Sequence, residues 1–159
     1  MMDDSVLGPM LTGRVVIACV GNELRGDDGI GPFIARLLKP TDRIAVVDCG
    51  ETPENYLGVI ASHNPQKVLI IDAAYFGGAP GEMRVVRKSE IGGGGASTHD
   101  AILTLFADYI EARTGAEAFF IAIQPKTSQV GRGLSPEIEA AAYKLAASIN
   151  RLIGAEPPR

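Results

Sequence analysis

The run Val15-Val16-Ile17-Ala18-Cys19-Val20 constrains the fold more than any other stretch of the chain. Six consecutive small or β-branched apolar residues leave no polar face, so the segment suits a strand covered on both sides. It stops at Gly21-Asn22, two residues that tolerate left-handed backbone conformations. A glycine-rich turn follows and carries two adjacent carboxylates, Asp27 and Asp28; Pro32 then sits in the first turn of a helix running through Leu38. Doubly wound α/β proteins build ligand sites from a strand, a glycine turn and a helix in this order, because helix N–H groups and strand ends converge there.

A phosphate-binding turn fails on chemistry. Gly21 and Gly26 have the spacing that opens a Walker loop, but Asp27-Asp28 stand where its lysine and hydroxyl belong. Carboxylates would compete with a phosphate for the positive end of the helix. No Gly-x-Gly-x-x-Gly fingerprint follows the strand either, so no nucleotide is expected. Two acids at such a place suit a metal ion or acid–base work. Helix capping accounts for one aspartate and not for two; one is expected to cap and the other to act.

The remaining segments read as an alternation. Residues 1–13 lack periodicity and suggest a loose leader, followed by one domain over 14–155. Residues 43–48 form a second strand, and Thr52 caps a helix with Pro53 at its first position, reaching about Ile60. Residues 67–72 are apolar up to Asp72 and form a central third strand. Residues 82–87 alternate, and the short connection before them holds no helix, which predicts an antiparallel edge strand. Gly92–Gly95 precede Ser97-Thr98-His99-Asp100, whose hydroxyl and following acid have the logic of a capping box opening a helix to about Glu111. Residues 118–123 are the last strand. Leu134-Ser135-Pro136-Glu137 starts the final helix, with Leu134, Ile138, Ala142, Leu145, Ile149 and Leu152 along its buried stripe. The result is an α/β fold: a mostly parallel, five-stranded twisted sheet sandwiched between helices, with one antiparallel strand.

Composition excludes several partners. The 159 residues carry 19 acids against 15 lysines and arginines, a formal charge of −4, and no basic run, which argues against nucleic acid. No apolar run approaches the ~20 residues of a membrane span, and the start has no signal-peptide pattern. A cytoplasmic protein is expected. Cys19 and Cys49 lie in strand-like segments without Cys-x-x-Cys spacing and read as buried thiols.

Three side chains then gather on physical grounds. Asp28 follows the first strand, Asp72 ends the third, and His99 opens a helix. In a 2-1-3 strand order the crevice opens between the carboxyl ends of strands one and three, flanked by Asp28 and Asp72. A histidine in the first turn of a helix feels the positive dipole end, which favours the neutral, metal-binding imidazole. Two carboxylates and an imidazole suit a borderline first-row divalent ion.

The chain resembles the hydrogenase maturation endopeptidases, which remove the C-terminal extension of the large subunit of NiFe hydrogenases. The resemblance covers about residues 14 to 150 and is carried by Val20–Pro32, Val47-Asp48-Cys49-Gly50 with Pro53-Glu54-Asn55, Leu69–Ala73, Pro80-Gly81-Glu82, Ser97-Thr98-His99 and Ile123-Gln124-Pro125. Gly-Asp-Asp-Gly with Thr-His and Ile-Gln-Pro looks most like the branch that processes hydrogenase 3, of the formate hydrogenlyase type. The resemblance implies a metal-gripping set of Asp28, Asp72 and His99, and a partner that is the nickel-loaded large-subunit precursor. The nickel would belong to the precursor and be held only weakly by the free enzyme, itself a monomer. Nickel could polarise the scissile carbonyl or activate water, and Asp27 or Asp48 could serve as base. One departure is Glu51, where relatives more often place a small hydroxyl residue. Two alternatives use the same three residues: a small-molecule hydrolase with a permanent divalent metal, and a nickel-binding chaperone without catalysis.

Overall fold

The computed structural model describes residues 2–86 and 98–154, with side chains in the second stretch from Ile102 onward. Five strands form one sheet in the order β2-β1-β3-β5-β4. They are β1 (Val15–Val20), β2 (Ile44–Gly50), β3 (Lys67–Ala73), β4 (Met83–Val86) and β5 (Glu117–Ile123). β1 pairs in parallel with β2 and β3, and β3 in parallel with β5. β4 runs antiparallel on the outer edge of β5, as its short approach requires.

Helices cover both faces. Helix α1 (Asp4–Met10), α2 (Ile30–Leu37) and α5 (Pro136–Gly154) enclose one core, built on Val15, Ile17, Leu69, Ile71, Ile121 and Ile123. On the other face α3 (Leu57–Ser62) and α4 (Thr98–Thr114) pack Ile60, Leu103, Phe106, Ala107 and Ile110 onto Val16, Ala18, Val68 and Ile70. Alternate residues of β1 and β3 thus enter different cores, which is why both strands are apolar throughout.

Several local expectations change. Residues 4–10 are not a loose leader but helix α1, capped by the Asp3 carboxylate accepting from the Ser5 N–H, with Leu7 and Met10 in the core. Gly8 and Pro9 mask the helix in the sequence, leaving a weak apolar signal in Val6, Leu7, Met10 and Leu11. Arg43 reaches the Leu11 and Gly13 carbonyls, and Lys67 the Thr12 carbonyl, so the segment is tied to the amino ends of β2 and β3. The helix expected at 53–60 is a 3-10 turn, Pro53–Tyr56, followed by α3, and Thr52 makes no side-chain cap. On α5 the buried stripe ends at Ile153, with Leu152 only partly covered. Gly92–Gly95 and Ser97 lie outside the described residues. Among the described residues no helix is long and apolar enough to cross a membrane.

Leu7 has no exposed surface. Leu7→Ala should therefore lower unfolding free energy by about 2–4 kcal/mol, as for a buried leucine whose cavity stays open. A shifted urea midpoint at constant slope would show it; an unchanged midpoint would mean that α1 adds nothing to the core.

Candidate active site

The site begins where β1 ends. Gly21 has φ of +154°, and a Cβ there would stand 1.9 Å from the Asp28 carbonyl oxygen. Only glycine lets the 26–29 turn fold back so closely over the strand end. Asn22, by contrast, stays outside the left-handed region. Its backbone N–H donates to Asp28 Oδ2 at 2.8 Å, its Oδ1 accepts from the Leu24 N–H, and its Nδ2 donates to Glu51. Asp28 is half-buried and held by the strand end it faces.

Its neighbour has a different task. Asp27 is fully buried: Oδ1 accepts from the Ser135 N–H (2.6 Å), and Oδ2 from the Lys126 and Thr127 N–H groups (2.9 and 3.0 Å) and the Ser135 hydroxyl (2.8 Å). The Asp27 N–H donates to the Thr127 carbonyl. One aspartate does cap a helix, but not the helix that follows it; neither Asp27 nor Asp28 bonds the start of α2, and Asp27 serves the start of α5 about a hundred residues away. Four accepted hydrogen bonds fill the carboxylate, so Asp27 is not a free base. Asp48 is exposed, and its Oδ1 accepts from the Gly50 N–H at the carboxyl end of β2. With Gly21, Asn22, Pro32, Glu51 and Tyr56 it lines a crevice of about 300 Å³ at the carboxyl ends of β1 and β2.

Asp72 is buried on β3, opposite Ala122 of β5, and β3 packs against the 26–29 turn that bears Asp28. His99 lies in the first turn of α4, and its side chain is outside the described residues. The backbone places that turn: α4 ends at Thr114, just before β5 begins at Glu117. Its 17 residues rise about 25 Å, close to the ~23 Å of a seven-residue strand. Packed back along the sheet, α4 brings its first turn to the carboxyl edge, where Asp28 and Asp72 are. Among the described residues no three His, Cys, Asp or Glu side chains converge on one point.

Two supporting residues carried a weaker sequence signal. Gln124 is buried, its Oε1 accepting from the Phe76 and Gly78 N–H groups, so it shapes the loop beyond Asp72. An amide ending an apolar strand is the clue to such a role. Ser135 looked only like part of a helix start, and its bond to Asp27 has no local signature. Cys19 and Cys49 are free and buried as expected. Burial pushes the Cys49 thiol up to about 12, with the Asp48 carboxylate adding to the shift. Cys19 is raised by burial first, then by Cys49 and Asp48.

Fold and site define a small doubly wound α/β protein with carboxylates at the strand ends where this class binds ligands. The family model described as HycI, hydrogenase maturation protease, matches residues 33–151. The hydrogenase 3 maturation protease of Escherichia coli K12 is 36% identical over 113 residues, covering 69% of this chain and 72% of that protein. A crystal structure of the NiFe hydrogenase maturation protease HycI from Thermococcus kodakarensis KOD1 superposes with a TM-score of 0.88 at 36% identity, over 94% of this chain and 99% of the other. The solution structure of the endopeptidase HycI from Escherichia coli gives 0.76 at 30% identity, over 91% and 92%. The chain belongs to the hydrogenase maturation protease family and is an endopeptidase of that kind. The resemblance read from its motifs, hydrogenase 3 branch included, is borne out.

Two predictions follow from these environments. Asp27→Asn turns an amide donor toward N–H groups and should cost about 2–4 kcal/mol of stability, because buried bonds to a charged acceptor are lost. Asp28→Asn should cost under about 1 kcal/mol, since its one described bond comes from a backbone N–H that an amide oxygen can also accept. Paired denaturant titrations compare them, and equal losses would remove the distinction. For the thiols, alkylation followed by mass spectrometry at pH 8 should modify neither cysteine in the native protein and both in denaturant. The folded Cys49 keeps its proton past the ordinary value of 9.0, where the unfolded thiol loses it. Its contribution to stability should therefore be complete below about pH 9 and fall as pH rises toward 12.

Proposed function

We propose that this endopeptidase removes the C-terminal extension of a NiFe hydrogenase large-subunit precursor, and that Asp28, Asp72 and His99 grip the nickel the precursor carries. The observation that supports it is the gathering of these residues at one sheet edge. Asp28 is on a turn packed against β3, Asp72 is on β3, and His99 is in the helix turn returned to the same edge. The donor set fits such cargo. Two carboxylates and one imidazole suit a divalent first-row ion and leave coordination positions for thiolates and water from outside. Cys19 and Cys49, both buried, add no soft ligand that would retain nickel when product leaves.

With Asp28, Asp72 and His99 holding it, the precursor's nickel would supply Lewis-acid chemistry, polarising the scissile carbonyl or lowering the pKa of a water. The chain's own residues orient that centre. Asn22 holds Asp28 Oδ2 through its N–H, and Oδ1 has no bond among the described residues. With Asp27 saturated, Asp48 is the carboxylate of the pair considered as base that lies exposed on a crevice wall. The reading places the enzyme in the cytoplasm, acting as a monomer.

The test mixes the protein with nickel-loaded and nickel-free precursor and follows both by mass spectrometry. A short C-terminal peptide should be lost from the loaded form alone. His99→Ala should lower cleavage by more than about a hundredfold while stability stays within about 1 kcal/mol. Calorimetry should find weak nickel binding to the free protein. Stoichiometric, chelator-resistant metal in the purified protein would replace this reading by the permanent metallohydrolase, and binding of loaded precursor without cleavage by the chaperone.

A further inference from the structure

Beside Asp28 two loops meet and expose an unusual set of side chains. Leu24 is 72% exposed and Val130 66% exposed, both on irregular backbone where solvent should select polar residues. Arg25 and Arg132 stand next to them, exposed, and neither guanidinium has a partner among the described residues. Single exposed apolar residues are ordinary on a surface. These are not loosely displayed. The Gly131 N–H donates to the Leu24 carbonyl at 3.0 Å, and Asp27 fastens the base of both loops through Thr127, Lys126 and Ser135. Gly26, at φ +56°, lets the second loop sit close: a Cβ there would be 3.0 Å from the Thr127 carbonyl oxygen. Hydrogen bonds thus fix the backbone that carries two apolar and two cationic side chains, none of which bonds to a partner among the described residues.

We propose that Leu24, Arg25, Val130 and Arg132 form a docking lip for the folded body of the precursor, separate from the residues that handle its nickel and its tail. The inference rests on the reading of this chain as a hydrogenase precursor protease. Continuity identifies the occupant. The Leu24 N–H donates to Asn22 Oδ1 and the Asn22 N–H to Asp28 Oδ2, so the lip adjoins the carboxylate that the precursor's scissile end would approach. Charge identifies the chemistry. The chain carries −4 overall, yet this patch presents two arginines unpaired among the described residues. The complementary surface is a shallow apolar patch rimmed by Asp or Glu. A preorganised lip also loses little entropy on binding, which favours it as an anchor. Arginine and buried aliphatic side chains can then supply affinity at the centre and rim of the contact.

The test measures precursor cleavage as a function of precursor concentration and salt. Leu24→Ser with Val130→Ser should raise KM about tenfold while kcat at saturation changes less than twofold. Arg25→Ala with Arg132→Ala should raise KM and flatten its dependence on sodium chloride, because the rim charges steer association. Val6→Ser, an exposed apolar residue on α1 at the opposite edge, is the control and should change neither constant. Melting temperatures should match wild type, since none of these side chains bonds within the fold. If wild type cleaves but the lip variants keep the wild-type KM and salt dependence, the lip is overturned while the protease reading stands. If wild type itself fails to cleave loaded precursor, the functional reading falls instead. Concentration-dependent dimerisation in wild type, lost in Leu24→Ser with Val130→Ser, would assign the patch to a second copy of this chain and also overturn the proposal.

Discussion

The buried carboxylate of Asp27 is the constraint on which the site depends. It has no exposed surface and accepts four hydrogen bonds from three residues beyond β5. A charge in that position is tolerable only because its acceptor capacity is filled by fixed donors. The consequence is a covalent-like tie between the turn after β1 and the loop leading into α5, two segments that no strand pairing connects. The turn's shape, the start of α5 and the orientation of the loop over Gly26 all follow from that one anion.

Asp28 is free for other work because Asp27 is not. Two adjacent carboxylates repel, and a turn that exposed both would lose stability at neutral pH. Here one is committed to N–H and O–H donors while its neighbour faces the strand end, held by a single backbone bond from Asn22. On the proposed reading the pair divides structural and chemical duty along consecutive residues. Changing the first should harm folding and, through the turn, the site; changing the second should reach the site directly.

The sheet was legible in the sequence because each strand carries its own signal. β1 and β3 are apolar without interruption because both faces are covered, and β4 alternates because it is an edge. The order β2-β1-β3 is that of the doubly wound class, and the antiparallel edge placement of β4 followed from the short connection before it. Local chemistry was less legible wherever a long-range bond decided it. Helix α1 forms through burial of Leu7 and Met10 against α5 and β1, although Gly8 and Pro9 argue against a helix. Thr52 has the sequence of a cap and makes none, because Pro53–Tyr56 winds as a 3-10 turn. The candidate residues Asp28 and Asp72 could be located because strand ends and glycine turns mark them. The assignment of Asp27 could not, since its partners lie about a hundred residues further along the chain.

The same tie bears on how the proposed nickel grip and the proposed docking lip would share one scaffold. A loop carrying exposed leucine, valine and arginine would ordinarily fold onto its own chain or move, and either would blur the position of the residues beside it. Anchoring both loops at one buried anion removes that freedom near their base and leaves only the outward side chains to choose a partner. Asp28, Asn22 and Leu24 are consecutive links of one hydrogen-bonded chain, and Leu24 is joined in turn to Gly131. On the proposed reading, a protein body resting on Leu24 and Val130 would be set in register with Asp28, and distance along that chain of bonds, rather than flexibility, would determine which segment of a bound precursor could reach the carboxylate.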